Sequence, residues 1–133
     1  MGGRAETGLR TTLAPMLSVR EGAKAVNFYE RAFGAEVLFR IDEGGVIAHL
    51  SVWGAEFWVA DESPAHQNCS PETLGGCSVR LILTVPDPDT VFAQALTAGA
   101  KEVWPVADKS YGWRVGRLVD PMGHHWEIGK PLR

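Results

Sequence analysis

Four side chains in this sequence combine useful chemistry with a spacing that could turn them toward one ligand: His49, Arg80, His125 and Glu127. His125 and Glu127 lie two apart in the segment HHWEI. Strand side chains alternate, so these two share one face while His124, Trp126 and Ile128 share the other. In the segment 79–85, Arg80, Ile82 and Thr84 fall opposite Val79, Leu81 and Leu83. In 46–53, Ile47, His49, Ser51 and Trp53 fall opposite the apolar set Val46, Ala48, Leu50 and Val52. A cleft built from the less apolar faces would hold His49, Arg80 and Glu127. Ligand-binding walls would come from among Trp53, Trp58, Trp104, Tyr111 and Trp113, with His125 beside Glu127. Glu127 or His49 could act there as a catalytic general base. His49, His125 and Glu127 could instead form a two-histidine, one-carboxylate metal site. Arg80 weighs against the metal, because a guanidinium repels a divalent ion yet pairs with a carboxylate through two N–H groups.

The elements that must position these residues can be traced from turns and periodicity. Asp120-Pro121-Met122-Gly123 is a turn, since proline fixes φ at one corner and glycine accepts a positive φ. It joins two strands within 111–129. A short strand over 14–19 is followed by a helix over 23–33, with apolar residues at 25, 26, 28, 29, 32 and 33 and Gly34 as its stop. Strands are expected at 36–41, 46–52 and 55–60. A polar stretch from 61 to 78 shows no periodicity and reads as a linker.

The second half repeats the order: a strand at 79–85, a helix at 87–98 stopped by Gly99, a strand at 101–106, then the hairpin. Gly34-Ala-Glu-Val echoes Gly99-Ala-Lys-Glu-Val, and Gly54 echoes Gly123. Two βαβββ modules in tandem, 14–61 and 79–129, follow a tail at 1–13 and are joined by the linker 62–78. The fold class is therefore α+β. Neither module could bury a core alone, so the two must pack together, within one chain or across a dimer.

Composition narrows the partners. The chain has 133 residues, 45% hydrophobic and 22% charged, with a formal net charge of −3 and no Lys/Arg run. A nucleic-acid or anionic-membrane partner would want a basic patch, so neither is expected. No apolar run approaches the roughly 20 residues that span a bilayer. The N-terminal segment MGGRAETGLRTTL lacks the apolar stretch of a signal peptide, which makes a cytoplasmic location the expectation. Cys69 and Cys77 form no CxxC pair, and a disulfide between them is not expected.

The segments AKAVNFYERAFGAEV (23–37), VIAHL (46–50) and YGWRVGRLVDPMGHHWEIG (111–129) together resemble the vicinal oxygen chelate superfamily of glyoxalases, bleomycin-resistance proteins and extradiol dioxygenases, most nearly its PhnB-like branch. The resemblance implies curled mixed sheets with helices on the convex side, a ligand cleft on the concave side, and a homodimer. Metal-dependent members place ligands on the first and last strand of each module. Those positions here fall on Ala14 or Pro15, Trp58, Arg80 and Glu127, and only the last can ligate. The reading preferred on these grounds is a binding protein that takes a small aromatic molecule in a Trp-lined cleft, with no cofactor. One alternative is a divalent-metal-dependent lyase, isomerase or dioxygenase using His49, His125 and Glu127. The other is a metal-independent enzyme with Glu127 or His49 as base beside Arg80.

Overall fold

A computed structural model describes residues 8–133; the first seven residues of the expected tail lie outside the described residues. The first module runs β1 (Met16–Val19), α1 (Gly22–Phe33), β2 (Glu36–Ile41), β3 (Ile47–Val52) and β4 (Ala55–Asp61). The second runs β5 (Arg80–Thr84), α3 (Pro88–Ala98), β6 (Lys101–Asp108), β7 (Trp113–Val119) and β8 (His125–Pro131). Each module forms a four-stranded mixed sheet, ordered β1-β4-β3-β2 and β5-β8-β7-β6, in which the first strand pairs parallel with the last. The two tandem α+β modules expected from the repeat are therefore present, with strand ends shifted by one or two residues.

The linker departs from expectation. It holds a 3-10 turn at Pro64–His66 and a one-turn helix, α2 (Pro71–Leu74). Ser70 caps α2 by accepting from the Thr73 N–H at 3.2 Å, and Pro71 stands at the first helical position, where its missing N–H costs nothing. Four residues are too few for a hydrophobic period to register, so the segment reads as loop from sequence.

Helix α1 turns Ala25, Val26, Phe28, Tyr29, Ala32 and Phe33 inward and ends on Gly34 at φ 69°. The Gly34 and Ala35 N–H groups close the last turn onto the carbonyls of Glu30 and Tyr29 at 3.0 and 3.2 Å. The same helix ties the modules together. Tyr29 and Phe33 lie 5.6 and 4.9 Å (ring centroids) from Trp126 of β8, and Phe57 of β4 lies 5.5 Å from it. One hydrophobic cluster spans both sheets, so the modules complete each other's core within the chain.

Asp120, 3% exposed, organises the turn before β8. One of its oxygens accepts from the Met122 and His124 N–H groups at 3.0 and 2.9 Å. The other accepts from the Tyr29 hydroxyl at 2.5 Å and the Trp126 indole at 2.9 Å. A buried carboxylate with four donors is satisfied, and it fixes the strand that carries His125 and Glu127 against α1. Asp61, at the end of β4, plays a similar part by accepting from the Gly22 and Val46 N–H groups. Among the described residues, no helix is long and apolar enough to cross a membrane.

Candidate functional site

With the helices covering one side of each sheet, alternation leaves a second, open face. On the first sheet, register aligns Phe39, His49, Trp58 and Met16 in one row across four strands. His49 stacks flat on Trp58, with ring centroids 4.2 Å apart and planes 1° from parallel. Glu56 Oε1 lies 2.9 Å from His49 Nε2, but out of line for a hydrogen bond, and Nε2 has no hydrogen-bond partner. We read this as a close charge rather than a bond, because angle governs hydrogen-bond strength as much as distance does.

On the second sheet the row is Ile82, Glu127, Arg117 and Trp104. Glu127 Oε2 lies 2.9 Å from Arg80 Nε and 3.5 Å from an Arg117 terminal nitrogen. The pairing of Arg80 with Glu127 expected from the sequence is thus made, and a second arginine joins it. His125 neighbours Arg80 in register, and its Nδ1 and the Arg117 Nε are buried without hydrogen-bond partners. Lys109 stands over the Trp104 ring at 4.5 Å from its centroid. Trp113 shares the Arg117 face by alternation, while Tyr111 sits 65% exposed at the β6–β7 turn.

Two expectations about the site are corrected. His49 belongs to the first sheet and His125 and Glu127 to the second, so one chain does not bring the three together. Among the described residues, no cluster of three His, Cys, Asp or Glu side chains could hold a metal. The remaining metal-type positions also fail on chemistry. Trp58 sits beside the β1 entrance through its N–H to Pro15 O bond at 2.8 Å and offers no ligating atom, and Arg80 presents a cation to Glu127. The second correction concerns Trp53, which does not line the His49 face. It occupies the β3–β4 turn at φ 50°, 69% exposed, against a groove of about 620 Å³ bordered by Leu83, Val85, Thr90 and Gln94. His124, on the face opposite His125 as alternation predicts, bonds Ser18 O at 2.9 Å through Nε2 and joins β8 to β1.

Arg117 joins the site although nothing local in the sequence singled it out. The register that sets it against Glu127 centres on Met122, whereas counting outward from the four-residue turn Asp120–Gly123 pairs Val119 with His124 and misses it. Arg114, three residues before it, is indeed a surface pair, bound to Asp89 and Asp108 at 2.7 and 3.0 Å on the helix side. Those two carboxylates hold its guanidinium above the usual arginine range, led by the Asp89 hydrogen bonds.

Neither open face is enclosed within one chain. Ile82 is 63% and Phe39 46% exposed. Two grooves of about 620 Å³ lie elsewhere, one at Trp53 and one along the outer side of α1. We place the site on the open faces because the polar groups converge there.

The glyoxalase-like domain family model matches residues 15–129. An uncharacterised protein of Mycobacterium bovis is 39% identical over 127 residues, covering 91% of this chain and 84% of its own length. Among solved structures, TioX from Micromonospora sp. ML1 is similar at 28% identity and a TM-score of 0.70, covering 90% of this chain and 95% of TioX. A glyoxalase-related enzyme from Fulvimarina pelagi shares the fold at 22% identity and a TM-score of 0.70, over 90% of this chain and 88% of that one.

Proposed function

The chain belongs to the glyoxalase-like domain family, and from that premise we propose that it is a bleomycin-resistance-type binding protein of the PhnB-like branch. It takes a small aromatic molecule without a metal. The observation that carries this reading is the Arg80, Glu127 and Arg117 cluster at the metal-type position, bordered by Ile82 and Trp104. A divalent ion there would have to displace a guanidinium from its carboxylate and would sit beside a second one. Exposed Ile82 and the Trp104 face supply apolar area for a flat ligand.

The cleft is closed by a second copy of the chain. Each open face carries large exposed apolar side chains, Met16, Phe39 and Ile47 on the first sheet and Ile82 on the second. Facing the first sheet of one copy against the second sheet of another covers both sets and encloses the ligand. A cytoplasmic setting goes with this reading.

His49 favours a second reading. A half-buried imidazole stacked on Trp58, with the Glu56 carboxylate 2.9 Å from its buried Nε2, is a candidate base for a metal-independent reaction.

A thermal-shift screen of aromatic small molecules, followed by tryptophan fluorescence titration, tests the proposal. A true ligand at about a hundredfold over its Kd stabilises by about 2.7 kcal/mol. Ile82→Glu, at an exposed position, should keep the fold, turn dimer into monomer in light scattering, and abolish ligand binding. A ligand bound equally well by an Ile82→Glu monomer would overturn the two-copy cleft. Turnover lost in His49→Gln but untouched by chelator would favour the second reading.

A further inference from the structure

The charge count around Glu127 is unbalanced. Glu127 is the one carboxylate in an ion pair with Arg80 or Arg117 among the described residues. Two guanidiniums therefore share a single negative charge. Arg114 shows the opposite arrangement, one guanidinium between two carboxylates, and Arg40 has Asp42 to itself. The Arg80 side chain is 55% exposed, but Arg117 and Glu127 are only 23% and 16% exposed, so the surplus charge on Arg117 is largely screened from bulk water. Arg117 Nε, a donor, is buried with no acceptor. Lys109 adds a third cation at the far wall, over Trp104.

Resting on the cleft reading, we infer that the ligand carries an oxyanion, a carboxylate, phosphonate or phosphate, bound by Arg80 and Arg117 while its aromatic part lies against Trp104. Both guanidiniums present N–H donors in a planar fork suited to two-oxygen acceptors. Glu127 then acts as the holder of the empty site, keeping both arginines in place until the ligand's oxyanion replaces it as their partner. The sharing makes a prediction of opposite signs within one cluster. Removing an arginine weakens anion binding, whereas removing the Glu127 charge strengthens it.

Calorimetric titration of the full chain with benzoate, phenylphosphonate and the neutral benzamide reads this directly, with inorganic phosphate as the non-aromatic arm. The expected result is tighter binding of both aromatic anions than of benzamide, with affinity falling as salt rises. Arg80→Gln and Arg117→Gln should each weaken anion binding roughly tenfold to a hundredfold and leave benzamide unchanged. Glu127→Gln should tighten anion binding, an outcome that a merely misfolded variant could not produce. Equal affinity for benzoate and benzamide would overturn the inference and leave the aromatic cleft standing. Binding of none of these probes, with neutral aromatics of other shapes bound well, would overturn it too. Loss of the dimer in Arg80→Gln, with anion affinity per folded dimer unchanged, would assign the arginines to the protein contact instead.

Discussion

At the scale of single residues, the side chains that hold the site and those that could use it are different. Tyr29, Trp126 and the Met122 and His124 N–H groups all converge on Asp120, behind the strand, while Arg80, Arg117 and Glu127 converge in front of it. Burial, reinforced by the Asp120 charge, pushes the Tyr29 hydroxyl well above the ordinary tyrosine range. A proton held more tightly in the folded state gives stability that is fully present below the unfolded pKa of about 10 and is lost progressively as pH rises from there through the raised folded value. Denaturant unfolding should therefore show falling stability above about pH 10. Tyr29→Phe should cost about 1–3 kcal/mol at neutral pH, by leaving an Asp120 oxygen one donor short, and should remove most of that alkaline slope. An unchanged slope in Tyr29→Phe would show that other groups cause it. Much of this scale was legible in the sequence. Alternation placed Arg80 and Glu127 on the open faces of their strands, but the register that brings Arg117 to Glu127 centres on Met122 and cannot be counted from the Asp120–Gly123 turn. Asp120 read only as a turn residue, because nothing local announces that Tyr29, far away in the chain, will reach it.

At the scale of elements, the repeat was the most readable feature, since glycines at helix ends and alternating strands obey local rules. What was not legible depends on contacts between elements. Trp53 alternates correctly onto the His49 face, yet the chain turns at that residue, so its side chain leaves the sheet. The linker helix α2 is fixed by a cap and a proline rather than by periodicity. Gly116 is another such position. A Cβ there would lie 2.7 Å from the Val106 N and 3.0 Å from Phe92, so its bare backbone lets β6 and α3 close on β7 one residue before Arg117. Gly116→Ala should destabilise the fold by about 1–3 kcal/mol through overpacking. It should also weaken ligand binding by shifting the strand under Arg117. A stability equal to that of the parent protein in chemical denaturation would contradict this close-packing account.

At the scale of the whole molecule, the two modules share one core but present their chemistry on separate open faces. One large aromatic, Trp126, completes the core that α1 and β4 begin, which answers how modules too small to fold alone coexist in one chain. His49 and Glu127 were expected in one cleft because the sequence gives each strand's faces but not the placement of one sheet against the other. A second copy is what would bring a His49 face opposite a Glu127 face. The measurement that bears most directly on the proposed function is bound-metal content of untagged protein, purified without chelator and then offered Ni, Mn, Fe and Zn in turn. The account predicts metal far below stoichiometry in every case, with aromatic-ligand affinity unchanged by EDTA. Near-stoichiometric divalent metal that disappears in Glu127→Ala or His49→Ala would contradict it.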